Sequence, residues 1–438
     1  EEGIAPADQF IAWLKTQPEV LGESLKLAVP TSLHEDLKLD SWGWVGALCE
    51  QQADDPSTGW FERASRQVRG DLRIIDDLEQ QAVRDKNYGF AKRLTHVKST
   101  IEGRQLISFM AAQNILPKYG FPVDVVGLSL DFDSTPGHDE LELDRDLKMA
   151  IVDYAPGTVT VAGKRLWTSV GLARGVEESW RTFGWAVCDN CGHFRQQIEE
   201  APAECPACGS SKKAQGKLGT YIVPEFGFIG KGSGEAGGQR PRRFSMVETH
   251  FGDYPDHTPE AIPVPGLANS ASRVFGRQGM ITVINVGNTK QGFLICNSCG
   301  YGEPVPMGGL ASRSDTPHDR PWGSGQCSGF LSMRQLGHNF LTDVVQLRPG
   351  TTEARHEDLR SALYALLAAV PALDIPREDV DGALHWVGKN EPAYVIFDAV
   401  PGGAGHSKRL NENLAELVDA AYRKASDCEC GVETSCYS

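Results

Sequence analysis

The sequence predicts an α+β fold: a helical N-terminal region, a short cysteine-stapled insertion and a mixed α/β C-terminal domain. Three observations carry this. Over residues 1–115 apolar side chains recur at intervals of three and four, the period of a helix with one buried face. Beyond residue 116 the period shortens, and apolar runs bounded by Gly and Pro read as strands. The eleven cysteines fall mostly in C-x-x-C or C-x-C pairs, a spacing that suits a bound metal better than a disulfide framework.

Residues 1–115 form the helical linker region, carried by "ADQFIAWLKTQ" and the stretch from "TGWFERASRQ" to "LISFMAAQ", both rich in good helix formers. Residues 116–182 are an α/β segment. Pro117, Gly120 and Pro122 break the helix, "VDVVGLSLDF" is a strand, and a short helix then leads to a hairpin turning at Ala162-Gly163. Residues 183–212 hold the first cysteine group. Residues 213–277 are rich in Gly and Pro and are expected to be a loop-rich connector of loops and short strands, with "GKGSGEAGGQRPRR" as a mobile loop. Residues 278–438 regain regular patterning. "MITVINVG" and "GFLICNSCG" read as a strand pair, and "FLTDVVQLR" and "PAYVIFDAV" as further strands. "TTEARHEDLRSALYALLAAVPALD" and "LNENLAELVDAAYRKASD" read as helices.

Composition narrows the function. The formal net charge of −15 argues against a protein that coats nucleic acid by charge alone. Basic stretches at Lys92, Arg93 and Lys98 and at Arg240, Arg242 and Arg243 read as solvated surface. No apolar run is long enough to span a membrane. The N-terminus lacks the pattern of a signal peptide, so the cytoplasm is the expected compartment, and both ends read as the interior of a longer chain. Cys49 stands apart from the other cysteines and reads as a small buried hydrophobe.

"CDNCGHFRQQIEEAPAECPACG" pairs Cys188 and Cys191 with Cys205 and Cys208. Two C-x-x-C knuckles, each turning at a Gly, are the signature of a zinc ribbon, and a closed shell of four thiolates makes the site structural. "CNSCG" supplies Cys296 and Cys299, and His318 and Cys327 complete a Cys3His set. The terminal "CECGVETSC" supplies Cys428, Cys430 and Cys436, three ligands of a set that a cysteine beyond Ser438 would complete.

"VIFDAVPGGAGHSKRL" is a strand, a Gly-rich turn and a helix. Gly402, Gly403 and Gly405 there allow either a tight structural turn or an anion cradle. No Walker motif occurs in the chain. His406, Lys408 and Asn413 stand at the spacing of a phospholipase D-type H-x-K-x-x-x-x-D motif, with Asn in the acidic position and no second copy. Asp343 and Asp398, with His338 nearby, sit on neighbouring strands and would be the carboxylates of a metal-dependent nuclease. Turn-capping is the simpler role for them.

"ILPKYGFPVDVV", "RDLKMAIVDYAPGTVTVAGKRLWTSVG" and the zinc ribbon resemble the region C-terminal to the motor of large superfamily 2 DEAD/DEAH-box helicases. "LGHNFLTDVVQL", "IFDAVPGGAGH" and the terminal cysteines resemble the MrfA-type zinc-binding domain found in DNA-repair helicases and in anti-phage systems of the DISARM and Druantia kinds. The resemblance runs from about residue 105 onward. It implies a non-catalytic accessory region of an ATP-dependent helicase, with ATP bound only in an upstream motor. It also implies a four-cysteine zinc site to which Cys428, Cys430 and Cys436 contribute. DNA and other subunits of a defence or repair complex are the implied partners. A protein-interaction scaffold that touches no DNA, or a phosphodiesterase, are the alternatives.

Overall fold

The computed structural model describes residues 6–29, 31, 34–49, 59–86, 88–103, 125–130, 141, 143–174, 180–198, 204–211, 213–236, 245–254, 259–267, 271–307, 317–322 and 325–427. The class is α+β as expected. The chain divides into two compact units, Glu1–Val123 and Asp124–Ser438.

The first unit is helical: Pro6–Lys15, Glu19–Ala28, Gly43–Cys49, Trp60–Arg84 and Tyr88–Glu102. The last two pair along their apolar stripes, burying Ile75 and Leu94 completely. Lys98 bridges to Asp76 at 2.7 Å across the same seam. Cys49 is buried beside Leu14 and Val45, as a small hydrophobe should be.

The second unit is built on strands. In chain order they are β1 (Val125–Ser129), β2 (Asp144–Asp146), β3 (Val159–Ala162), β4 (Arg165–Leu172), β5 (Thr182–Cys188) and β6 (Phe194–Ile198). Then come β7 (Lys213–Ile222), β8 (Phe228–Glu235), β9 (Val247–Phe251), β10 (Ile262–Pro263), β11 (Ser272–Asn285) and β12 (Phe293–Cys296). The last are β13 (Gly302–Pro304), β14 (His318–Asp319), β15 (Gln326–Cys327), β16 (Leu331–Arg348), β17 (Val380–Gly388) and β18 (Glu391–Asp398). The predicted short helix is Leu147–Asp153, whose first turn is capped by Asp146 accepting from Lys148 N at 2.8 Å. The β3–β4 hairpin turns at Gly163 as expected.

The eighteen-residue β16 organises the larger sheet, with β7, β11, β12 and β18 all pairing to it. A smaller sheet runs β2-β1-β8-β4-β3. Three expectations change here. The supposed connector, 213–277, supplies β7, β8, β9, β10 and the start of β11. Its Gly-rich "GKGSGE" is the outer part of β8, paired to β4, because a strand needs partners more than apolar alternation. Residues 237–243 of that expected mobile loop lie outside the described residues. β11 and β12 do not pair with each other; each pairs with β16. The ribbon at 183–212 is not a separate body, since β5 and β6 continue the large sheet through β7. Residues 183–212 and 213–277 both lie within the unit Asp124–Ser438.

The helix His356–Ala369 packs on β17 and the helix Leu414–Ser426 packs on that helix, in one buried cluster that joins Leu363, Leu367 and Leu417 to Ile396 of β18. Each such fully buried side chain contributes on the order of 2 kcal/mol. No helix among the described residues is long and apolar enough to cross a membrane.

Candidate metal centres

The first centre forms where β5 ends. Cys188 closes that strand, Cys191 and Gly192 complete a knuckle, and Cys205 and Cys208 form the second. The knuckles match bond for bond: Gly192 N donates to Cys188 O and Gly209 N to Cys205 O, both at 2.8 Å. Cys188 and Cys208 sulfurs are 3.6 Å apart, as are those of Cys191 and Cys205. Sulfurs about 2.3 Å from a tetrahedral zinc stand about 3.8 Å from one another, so the four fit the ion. Burial pushes the Cys191 thiol up, while the hydrogen bond from Asn190 brings Cys208 down to about 6.

This knuckle is seated on β17. Gly192 has φ +77°, and a Cβ there would stand 2.6 Å from the Trp386 indole. His193 Nδ1 donates to the Trp386 carbonyl at 2.9 Å, and its ring lies 4.9 Å from that of the buried His385. The sequence pattern marked the four cysteines but gave no hint of Trp386, some two hundred residues downstream.

The second centre has its ligands on three separate elements. Cys296 ends β12 and Cys299 follows in its knuckle, while His318 and Cys327 face each other as partners across the β14–β15 pair. That pairing explains why His318, distant from the knuckle in sequence, arrives at the site. Its Nε2 is 3.3 Å from Cys299 Sγ, and the Cys296 and Cys327 sulfurs are 3.8 Å apart. In both centres all four ligand atoms lie within 4.8 Å of one another. All four residues of the second are buried, in a cluster with Leu294, Trp322 and Leu331. Amides point at the sulfurs: Cys299 N at Cys296 Sγ and Tyr301 N at Cys299 Sγ, both 3.4 Å, and Gly329 N at Cys327 Sγ, 3.3 Å. The hydrogen bond from Cys299 draws the Cys296 thiol down to about 4, and Cys299 is pushed up in return. Cys428, Cys430 and Cys436 lie outside the described residues.

The "PGGAGH" turn shows why a phosphate-loop reading fails. Asp398, fully buried at the end of β18, fills the cradle itself. Its Oδ2 accepts from Ala404 N at 2.5 Å and His406 N at 3.2 Å; its Oδ1 accepts from Ser407 N at 2.7 Å and Ser407 Oγ at 2.6 Å. With both oxygens facing N–H and O–H donors, Asp398 offers no lone pair to a cation. Asp343 is its neighbour, lying under Gly403, where a Cβ would stand 2.6 Å from the Asp343 Cγ. His338 is five residues away on the same strand and so points to the opposite face, where it stacks on Phe340. His406 pairs with Asp379 at 3.5 Å, Asn413 donates to the Arg409 carbonyl, and Lys408 is exposed. Asp343 and Asp398 are thus neighbours, but with the Asp398 oxygens taken by backbone and Ser407 donors and His338 on the opposite face, neither candidate hydrolytic set is assembled.

Asp343 is nonetheless perturbed. It is 5% exposed, and its Oδ1 has no hydrogen-bond partner among the described residues. Burial first and the Asp398 charge second raise its pKa from 3.8 to about 6, against the pull of Arg277, the Gly405 amide and Lys408. A raised carboxylate pKa costs stability in full above the folded pKa, and the cost fades as pH falls toward the unfolded value. Asp343→Asn is therefore expected to stabilise the protein by ~2 kcal/mol at pH 8, with about half that gain left at pH 5. Paired denaturant titrations in excess zinc at the two pH values check this; a gain that grows on acidification would reverse the sign.

A family model described as the MrfA Zn-binding domain matches residues 362–438, a span that takes in β17, β18, the glycine turn, the last helix and the terminal cysteines. No curated protein matches the chain. Among solved structures, the chain is similar to the DUF1998 helicase MrfA bound to DNA, at 11% identity and a TM-score of 0.33, over 70% of this chain and 30% of that one. It is similar also to the DUF1998 helicase MrfA, at 9% identity and a TM-score of 0.28, over 70% of this chain and 31% of that one. The chain thus spans about a third of the length of the helicase structures it matches.

Proposed function

Taking residues 362–438 as an MrfA-type zinc-binding domain, we propose that this chain is a non-catalytic, zinc-stabilised accessory region of an ATP-dependent DNA helicase or translocase. Cys188, Cys191, Cys205 and Cys208 hold one structural zinc, and Cys296, Cys299, His318 and Cys327 a second. Cys428, Cys430 and Cys436 contribute to a third. Closed four-ligand shells leave no position for an activated water, so these ions fix backbone and perform no chemistry. The rigid sheet between them guides DNA at the motor or docks a partner subunit, in a cytoplasmic anti-phage or DNA-repair complex. ATP belongs to the motor.

The observation that carries this reading is the family match to 362–438 on the same sheet that bears two four-ligand clusters. The net charge of −15 favours a second reading, a scaffold that binds only protein. Anisotropy titrations with labelled single- and double-stranded oligonucleotides separate the two. DNA guidance through as few as three phosphate contacts predicts an affinity falling about thirty-fold between roughly 50 and 200 mM salt. Absence of binding at the lowest salt would leave the scaffold.

A further inference from the structure

We infer that Arg174 is a positioning residue of the Cys296–Cys299–His318–Cys327 centre: it holds the first knuckle's peptides with their amides toward the sulfurs and offsets the centre's residual negative charge. This rests on the reading of those four side chains as a metal site. Arg174 lies two residues beyond β4 and is 7% exposed. Its Nη1 donates to the carbonyls of Asn297 and Ser298, the latter at 2.7 Å, and these are the two residues between the first two ligands. The Ser298 carbonyl and the Cys299 N–H belong to one peptide group, and that N–H lies against Cys296 Sγ at 3.4 Å. A cation at the oxygen end of a peptide polarises it and strengthens the donor at the nitrogen end. The guanidinium thus acts on the thiolate through a single peptide, as outer partners act on metal ligands generally.

The surroundings keep Arg174 in place. Trp180 covers its guanidinium at 4.9 Å and is itself tied to the Ala173 carbonyl at 3.2 Å. Leu172 N donates to Gly300 O at 2.8 Å, lacing the end of β4 to the same knuckle. Charge gives the second reason. Three thiolates and a neutral imidazole around a dication sum to one negative charge, which is costly to bury without a counter-ion. One guanidinium cancels it. Lysine would restore the charge, but its shorter stem and its lack of a planar head to lie against Trp180 would not hold a donor at both carbonyls.

The test uses Arg174→Met and Arg174→Lys in the 438-residue chain. Cadmium NMR of the cadmium-loaded protein separates a three-sulfur, one-nitrogen centre from a four-sulfur one, and chelator competition gives the zinc affinity of each. Arg174→Met is expected to weaken the three-sulfur centre by about 10- to 100-fold and shift its resonance, leaving the four-sulfur centre unchanged. Arg174→Lys should recover part of the affinity. An Arg174→Met protein with parental affinity and resonance at that centre overturns the inference. If Arg174→Met does not fold, Arg174→Lys decides: reduced affinity confined to the three-sulfur centre supports the role, and parental behaviour overturns it. A parent chain without any three-sulfur resonance would instead remove the metal reading itself.

Discussion

Stripping the metal from this chain is expected to lower its melting temperature by on the order of 20 °C. A structural zinc site contributes on the order of 10 kcal/mol to the fold it closes, comparable with the whole net stability of a domain. The second centre sits in the core, sharing a cluster with Leu294, Trp322 and Leu331, and Cys296 is 0% exposed. Without a metal, three buried cysteines would face one another with no dication to balance their thiolates. The two centres should differ in their tolerance. Cys296→Ser puts an unmatched hydroxyl into apolar packing and should cost about 4 kcal/mol or more. Cys208→Ser acts at the half-exposed rim of the first centre, where water replaces the lost contact, and should cost clearly less. Elemental analysis with parallel thermal melts checks this: metal-free protein melting within a degree or two of the loaded form would sink the structural role.

Asp398→Ala is expected to cost about 4 kcal/mol, a large effect for a residue outside any metal centre. The substitution orphans the amides of Ala404, His406 and Ser407 and the Ser407 hydroxyl in one step. Hydrogen bonds to a charged acceptor contribute about 1.5–3 kcal/mol each, and donors buried without a partner add a desolvation penalty. Asp398→Asn keeps one acceptor oxygen but turns an NH2 toward other donors, so it should fall between Ala and the parent. Urea midpoints in excess zinc would show the order. A loss below about 1 kcal/mol for Asp398→Ala would mean that the turn holds without its carboxylate.

The metal centres were largely legible because ligand spacing is a local property. Cys188 to Cys208 fall within one short stretch, and a C-x-x-C knuckle encodes its own turn. Cys296, Cys299, His318 and Cys327 were legible for a chemical reason: few residue types can complete such a shell. Asp398 was visible as a polar residue ending an apolar strand, but whether it bound a cation or capped a turn depended on which donors surrounded it. Arg174, Trp180 and Trp386 carried no signal at all. Arg174 and Trp386 meet the two cysteine groups through packing between segments far apart in the chain, Trp180 only through Arg174, and nothing in the local sequence records those meetings.

The same division runs through the fold. Local patterning sufficed for the α+β class, the helical first unit, the strands bearing "VVGLS", "FLIC" and "PAYVIFD", and the two four-residue groups that could hold a metal, because periodicity and side-chain chemistry act over a few residues. Only the folded chain shows that the described part of 213–277 supplies β7 to β10 and the start of β11, that β16 gathers β7, β11, β12 and β18, and that the ribbon is seated on Trp386. A strand is stabilised by partners that supply its hydrogen bonds, and those partners are chosen by the whole chain; a helix and a cysteine knuckle satisfy their own.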